Sequence, residues 1–432
     1  MINKTKILIS FFSVILLYYF FTLSENVDTV FFSMTIGLFF YVFLMLSIDK
    51  EIVNPLSLMF PFILGVYYYQ YMLSSKQEIL SLDTISAIIF FISFYVLGVL
   101  LTLLNKKSIL KKKIINHKIH SVLVVDLFLI FGLVIFLIEC ALTGGFPFFI
   151  ALIHKINVYE DMYYVPILHY FVMLIAIFPS VYYYFYKNNK IGRFKFFVVL
   201  FVSIFVLLNI MSRQIFIFSI VFMFFTYAKV NKINTNKYIL KAVIFTSVMF
   251  LVLGFVRIQS INNSISQLEY LKAYAGVPKE RNVNTFDVTF NLYTSQNLVT
   301  LNDMITKVDS QEFGYGKYSL QSFIKVLKYD QAYNIEYAVQ LDSFARLGTI
   351  IADPYLDFGL VGVTLLAILY GIINTVFFLK AKHSDSIRYT FFWAVLCFIM
   401  IMSVFTNFYN VLFSWLIFLF IYFITLKAKT NK

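Results

Sequence analysis

The chain has 432 residues, of which 61% are apolar and 13% charged, and its formal net charge is +13. Soluble chains of average composition contain roughly 25% charged residues, so this composition excludes an ordinary soluble globular protein. The positive charge does not indicate a nucleic-acid-binding protein either. The basic residues are spread over short segments between apolar runs and do not form the basic face of a soluble domain.

Apolar runs long enough to cross a bilayer recur along nearly the whole chain. A hydrocarbon core of about 30 Å requires roughly 20 apolar residues in one helix. The runs lack the alternation of apolar and polar residues that is typical of transmembrane β-barrels. We therefore predict an all-α, polytopic integral membrane protein with about twelve transmembrane helices. The predicted spans are 7–23, 30–48, 52–73, 83–104, 122–143, 166–186, 194–210, 214–228, 242–257, 358–379, 389–405 and 411–426.

The basic residues predict the orientation of these helices. Most of the 35 lysine and arginine residues fall in segments that the predicted spans place on one side, above all 106–118, 187–195 and 229–241. Because positive residues near helix ends stay in the cytoplasm, both termini of this inner-membrane protein are predicted to be cytoplasmic. The stretch 194–228 has basic segments on both sides, so it must cross twice, as a short hairpin with its outer tip at 211–214.

One long stretch on the outer side, 258–357, is less apolar and contains half of the chain's 22 acidic residues. It divides the chain into residues 1–257 with nine spans, a structured periplasmic loop, and residues 358–432 with three spans. Helices are predicted in the loop after 264, at 295–308 and at 318–328, with Gly314 and Gly316 in the turn before the last. An amphipathic helix here lies on the bilayer surface or covers a site between the spans.

Three arginines are predicted at the outer membrane boundary. Arg213 lies at the hairpin tip, Arg257 ends the ninth span and Arg346 precedes the tenth. An arginine fork forms parallel, charge-assisted hydrogen bonds to phosphate oxygens and stays charged, so the trio suits a pyrophosphate. The alternative is that each arginine extends separately to ordinary lipid phosphates. No metal-binding or soluble-enzyme motif occurs in the chain.

Acidic groups and one histidine are the other candidates. Glu139 lies near the outer end of its span and either lines an outward cavity or makes a hydrogen bond between helices. His169, on the outer side, is either a base or an ordinary polar residue at a helix end. Asp353 is interpreted as a group that holds an arginine or accepts a proton from a hydroxyl group. Asp357 is interpreted as a helix cap.

The segment 353–362 reads DPYLDFGLVG, and its two glycines, Gly359 and Gly362, are expected to let the following helix pack closely on a neighbour. This segment, the hairpin residues Ser-Arg-Gln at 212–214 and the single long outer loop give the chain a layout that resembles the Wzy-type O-antigen polymerases. These are the oligosaccharide repeat-unit polymerases of bacterial surface polysaccharide assembly. The segment is similar to the family's pattern of an acidic residue followed, after four positions, by F-G-x-x-G.

The resemblance implies a metal-independent glycosyltransferase without cofactors at the periplasmic face. A growing glycan leaves its polyprenyl pyrophosphate and joins a new lipid-linked repeat unit. The implied partners are this lipid-linked oligosaccharide, the bilayer, and a flippase and chain-length regulator of the same pathway, with no nucleic acid. The expected catalytic residues are Asp353, Arg346 and Arg213. The expected substrate-binding residues are Arg257, Gln214, Gln259, Tyr355, His169 and Glu139.

Three alternatives remain open from the sequence. A flippase for lipid-linked oligosaccharides belongs to the same pathways, but flippases favour short loops, two related halves and charges within the central cavity. An O-antigen ligase shares the long outer loop but usually depends on a histidine within it, and residues 258–357 contain none. A non-catalytic assembly protein leaves the arginine trio without a purpose.

Overall fold

A computed structural model of the protein describes residues 51–72, 80–111, 116–119, 121–154, 162–259, 296–307, 313–328 and 348–426, with isolated positions between 37 and 45 and between 268 and 288. The predicted spans 7–23 and 30–48 and the predicted loop helix after 264 fall outside the described residues, apart from those isolated positions.

All regular structure in the described residues is helical. In chain order the helices are α1 (Phe60–Met72), α2 (Leu82–Leu104), α3 (Lys106–Lys111), α4 (Val122–Thr143), α5 (Pro147–His154), α6 (His169–Met173), α7 (Phe178–Lys187), α8 (Arg193–Ile210), α9 (Arg213–Val230), α10 (Asn236–Gln259), α11 (Gln296–Lys307), α12 (Gln321–Lys328), α13 (Ala352–His383), α14 (Ile387–Ile401) and α15 (Leu412–Ile424). Short 3₁₀ segments precede α1, join α6 to α7 and follow α14.

Within the described ranges, six helices are long and apolar enough to cross a membrane. They are Leu82–Leu104, Val122–Ile153, Arg193–Ile210, Arg213–Val230, Ala352–His383 and Ile387–Val404. The second range joins α4 to most of α5, and the last joins α14 to the 3₁₀ segment that follows it. Shorter apolar helices cover Ser57–Tyr69 and Leu412–Ile424. These helices indicate a membrane protein, and the full set of twelve spans stays a prediction.

The exposed face of α4 supports this assignment. Leu127, Ile130, Val134 and Leu137 follow one another along this helix at helical spacing, and all four are exposed. In a soluble protein the exposed face of a helix carries polar residues, whereas lipid-facing helices are apolar on the outside as well. The outer face of α4 is therefore suited to contact with hydrocarbon.

The short hairpin predicted within 194–228 is confirmed. Helices α8 and α9 have 18 residues each, a length of about 27 Å at 1.5 Å per residue. Between them Met211 adopts a left-handed φ of 53° and Ser212 is extended. The chain therefore reverses within two residues, and Arg213 begins the returning helix.

The chain divides into two compact units. The first contains residues 1–112, 268–379 and 399–412, and the second contains residues 113–267, 380–398 and 413–432. The described loop helices α11 and α12 belong to the first unit with α1 and α2. The division of the chain into two sets of spans and a periplasmic loop stays a prediction. Each unit is described separately below.

In the second unit, segments that the basic residues predict to be cytoplasmic meet at one end. Nε2 of His117 lies 3.2 Å from Nη1 of Arg388. Lys190 donates to the carbonyl oxygen of Ile119 at 2.6 Å. Lys229, in the last turn of α9, donates to a carbonyl at the end of α13 at 2.9 Å. The ends of α7, α9 and α13 and the starts of α4 and α14 therefore lie together, as alternating helix directions require.

In the first unit, α2 and α13 cross where two glycines allow their backbones to touch. A Cβ atom on Gly98 would lie 2.3 Å from the carbonyl oxygen of Ile368. A Cβ atom on Gly371 would lie 2.3 Å from the carbonyl oxygen of Tyr95. Neither position has room for a side chain, which is typical of close helix crossings in membranes. The sequence analysis did not identify this pair.

Helix α13 starts at Ala352, before the predicted span 358–379, and it is broken near its start. Phe358 (φ −146°, ψ 17°) and Gly359 (φ 59°) are non-helical. The expectation that Gly359 and Gly362 pack on a neighbouring helix is wrong. A Cβ atom on Gly362 would lie 2.2 Å from the carbonyl oxygen of Pro354, in the turn before it. These glycines accommodate the break in the helix, because Gly359 readily adopts a positive φ.

The predicted loop helix at 295–308 is confirmed as α11, and it is anchored to the start of α2. The side-chain oxygen of Asn302 accepts hydrogen bonds from the Ser81 amide at 2.8 Å and from the Thr84 hydroxyl at 2.9 Å. Leu298 and Leu301 are fully buried. Helix α11 is therefore part of the first unit and does not lie free on a bilayer surface. The helix predicted at 318–328 is also present, as α12 after a turn at Gly316.

Candidate functional site

A carboxylate and an imidazole form a close pair in the second unit. Glu139 lies one turn before the end of α4, and His169 begins α6. Nδ1 of His169 lies 2.9 Å and 3.1 Å from the two carboxylate oxygens of Glu139. Glu139 is buried, whereas the side chain of His169 is 18% exposed. The structure thus brings together two residues that the sequence analysis proposed separately.

The segment before His169 is held on the end of α4. Glu139 also accepts a hydrogen bond from the Val165 amide at 3.0 Å, and the Thr143 hydroxyl accepts one from the Tyr163 amide at 3.1 Å. The ring of Tyr164 packs against the imidazole with 4.3 Å between the ring centroids. These contacts fix the imidazole ring in one orientation.

The pairing decides which imidazole nitrogen is able to take up a proton. A carboxylate accepts hydrogen bonds, so Nδ1 of His169 carries the hydrogen in the neutral ring and Nε2 is the acceptor. None of the residues that the structure describes hydrogen-bonds to Nε2. This is the arrangement of a general base whose orientation is set by a carboxylate.

Arg213 is the first residue of α9 and is 7% exposed. An arginine that extends to ordinary lipid phosphates would be exposed, so the burial of Arg213 argues against that alternative. Ser212 precedes it without forming a side-chain cap. The first amides of a helix have no intrahelical acceptor, and the helix dipole is positive at this end, so an arginine here adds to a site that attracts anions.

The hairpin tip and the Glu139–His169 pair lie at the same end of the second unit. Helix α5, which was not predicted, follows α4 after Gly144, where φ is 89°. Met211 packs against Ala151 of this helix, and the Asn209 side chain accepts a hydrogen bond from the Phe148 amide at 3.2 Å. The whole length of α4 separates this end from the basic segments.

In the first unit, Asp353 belongs to a buried polar network. It lies in the first turn of α13 and is 7% exposed. Its carboxylate accepts a hydrogen bond from Nδ2 of Asn410 at 3.1 Å. The side chain of Asn407, in the same segment, accepts a hydrogen bond from the Tyr409 amide at 3.2 Å. The Asp353 carboxylate thus has an amide donor from the segment between α14 and α15.

The interpretation of Asp357 as a cap of its own helix is wrong. This residue is fully buried, and its carboxylate accepts hydrogen bonds from three backbone amides of the segment 316–319. The donors are Gly316 at 2.9 Å, Tyr318 at 3.0 Å and Ser319 at 2.7 Å. Asp357 therefore fastens the turn before α12 to the start of α13, because a carboxylate is a strong acceptor for converging amides.

The remaining candidates are only partly covered. Gln214 and Tyr355 are half-buried, in the first turns of α9 and α13. The backbone of Arg257 and Gln259 belongs to α10, but their side chains lie outside the described part of the chain, as does the whole of Arg346. The convergence of the three arginines therefore stays a prediction.

Sequence reasoning missed Asn407 and Asn410, which lie between α14 and α15. The segment 407–410 reads N-F-Y-N inside a long apolar region. Buried amides are costly at membrane depth unless they are hydrogen-bonded, so this pair was a usable signal. Its partner, Asp353, is 57 positions from Asn410 and was not recognisable from the spacing.

Comparisons of the chain with protein families, with curated proteins and with solved structures find no match. The functional proposals below therefore depend on the arrangement of the chain's own residues.

Proposed function

We propose that the protein is an oligosaccharide repeat-unit polymerase that works at the outer face of the bacterial inner membrane. The observation that carries the proposal is the Glu139–His169 pair, located at the same end of the second unit as the buried Arg213. A proton acceptor and a fixed positive charge are the two groups that glycosyl transfer from a pyrophosphate requires. Their separation from the basic segments by α4 supports an extracytoplasmic position.

In the proposed reaction, a hydroxyl oxygen of the incoming repeat unit attacks the anomeric carbon of the growing glycan. A new C–O bond forms while the bond from the anomeric carbon to the pyrophosphate oxygen breaks, and its electron pair leaves with the pyrophosphate. The hydroxyl proton passes to Nε2 of His169. The carboxylate of Glu139 stabilises the resulting imidazolium, which afterwards returns the proton to water.

This proposal gives the role of proton acceptor to His169 and not to Asp353. Nε2 of His169 belongs to a partly exposed ring. Asp353 is more deeply buried and already accepts a hydrogen bond from the Asn410 amide.

Arg213 is proposed to bind the departing pyrophosphate. Its guanidinium and the first amides of α9 offer several donors to phosphate oxygens. Charge develops on the leaving oxygen as the bond breaks, so fixed donors at this point lower the barrier.

The proposal is tested by His169→Asn. The asparagine amide reaches the position of Nδ1 and still donates to Glu139, but it offers nothing in place of Nε2. In a strain that lacks the chromosomal copy, we expect the variant to give surface lipid with single repeat units and no polysaccharide ladder. Removal of a general base lowers a rate by roughly 10²–10⁴-fold. Gel analysis of the surface lipid measures the outcome.

The matched control is His383→Asn, because His383 is exposed at the end of α13. This variant should give the normal ladder. Immunoblots of membrane fractions verify that both variants accumulate equally. A normal ladder from His169→Asn at normal protein level contradicts the assignment of His169, and with it the observation on which the polymerase proposal depends.

A lipid-linked oligosaccharide flippase is the second candidate, and one observation favours it. Helix α13 is broken at Phe358 and Gly359, close to the buried Asp353. Many transporters place broken helices at their substrate sites. The deletion strain separates the two functions, because loss of a flippase removes even single repeat units from surface lipid, whereas loss of a polymerase leaves them.

A further inference from the structure

The orientation of the Asn410 side chain is fixed by its neighbours. Its nitrogen, Nδ2, donates to the carbonyl oxygen of Tyr318 and to the carboxylate of Asp353. A backbone carbonyl only accepts hydrogen bonds, so the nitrogen and not the oxygen must face Tyr318. The side-chain oxygen, Oδ1, consequently points away from both partners.

This oxygen is buried and has no hydrogen-bond partner among the residues that the structure describes. The residue as a whole is only 8% exposed. Buried side-chain acceptors are almost always satisfied in folded proteins, and an unsatisfied one is costly. The position of Oδ1 therefore points to a donor from outside the described chain.

We infer that Asn410 and Asp353 form a binding site for a hydroxyl group of the oligosaccharide, an inference that rests on the proposed function. Oδ1 of Asn410 accepts the hydrogen of the sugar hydroxyl next to the Asp353 carboxylate. A metal cation does not fit the same place. The side-chain amide of Asn410 is directed at the carboxylate, and its hydrogens would repel a cation there.

The site is held rigidly by the surrounding network. The backbone amide of Asn410 donates to the backbone carbonyl oxygen of Asn407 at 3.0 Å. The hydroxyl of the adjacent Tyr409 donates to Asn374 at 3.1 Å, and Asn374 donates to the Tyr95 hydroxyl at 3.1 Å. Because the donors and acceptors are held in place before the ligand arrives, little ordering is required on binding.

The test compares Asn410→Ala with Asn54→Ala in the purified full-length protein. The probe is the free oligosaccharide released by mild acid from the lipid-linked repeat unit of the producing strain. Asn54 is a buried asparagine of the same unit. Its side-chain nitrogen donates to the Glu51 carbonyl at 3.0 Å and its oxygen accepts from the Leu56 amide at 3.0 Å. Replacing it removes a comparable buried amide that takes no part in the network around Asn410.

We expect the wild-type protein and Asn54→Ala to bind the probe with similar affinity. Asn410→Ala should bind it about tenfold more weakly, which corresponds to the loss of one hydrogen bond. The probe should also raise the Tm of the first two proteins more than that of Asn410→Ala. Equal affinities for wild type and Asn410→Ala, including no binding by either, overturn the inference.

The outcome is distinguishable from failure of the proposed function. Binding that depends on Asn410, together with a normal ladder from His169→Asn, retains the sugar site and rejects the proposed base. Loss of the ladder in His169→Asn, together with equal probe binding by wild type and Asn410→Ala, retains the proposed base and rejects the sugar site.

Discussion

The contact between Asp357 and the turn before α12 leads to a quantitative prediction for Asp357→Asn. In the wild-type protein one carboxylate oxygen accepts hydrogen bonds from Gly316 and Tyr318, and the other accepts the bond from Ser319 at 2.7 Å. The asparagine oxygen is able to replace the first of these oxygens. Its NH₂ group then faces the Ser319 amide, so that two donors oppose each other.

The expected loss is one charge-assisted hydrogen bond at a fully buried site. Such bonds contribute about 1.5–3 kcal/mol each. The bonds to Gly316 and Tyr318 weaken as well, because a neutral amide oxygen is a poorer acceptor than a carboxylate. The turn should therefore open more often, by a factor of about ten or more, while the helices of the first unit stay folded.

Hydrogen–deuterium exchange of the purified protein measures this opening directly. Peptides that cover 313–320 should exchange at least about tenfold faster in Asp357→Asn than in the wild-type protein. Peptides from α2 should exchange at the same rate in both. Asp385→Asn removes an exposed carboxylate and serves as the control. Unchanged exchange at 313–320 in Asp357→Asn would show that the three amide contacts do not hold the turn, and the argument would be refuted.

Two further predictions concern the helices. Gly371→Ala should destabilise the protein by roughly 1–3 kcal/mol, because the new methyl group would lie 2.3 Å from the Tyr95 carbonyl oxygen. Gly192→Ala, where nothing lies within 4 Å, should leave the melting temperature in detergent unchanged. Lys229→Met removes the donor to the carbonyls at the end of α13 and should lower the free energy of unfolding by about 1–2 kcal/mol. Lys241→Met, at an exposed position, should leave the melting temperature unchanged.

The positions of the helices were largely predictable from the sequence because the membrane imposes a simple rule. A run of apolar residues bounded by basic segments forms a helix of limited length, and α4, α8 and α9 agree closely with the predicted spans. Helix α5 and the early start of α13 were missed. Both lie beside glycines with positive φ, where the chain changes direction without a change in apolar content.

The candidate site was predictable as single residues but not as pairs. Glu139 and Asp353 attract notice because a carboxylate in or near an apolar helix is costly. Their partners depend on the packing of distant segments, and His169 lies 30 positions from Glu139. The role of Asp357 was misjudged for the same reason, because its donors come from a turn about 40 positions earlier that no local pattern connects to it.

The donors around each buried carboxylate distinguish the roles of the two polar sites. Glu139 is paired with an imidazole, which is able to take up a proton and whose positive form the carboxylate stabilises. Asp353 is paired with the Asn410 amide, which supplies a hydrogen bond but does not exchange protons at any ordinary pH. Under the proposed function we therefore assign proton transfer to the first pair and recognition of a sugar hydroxyl to the second.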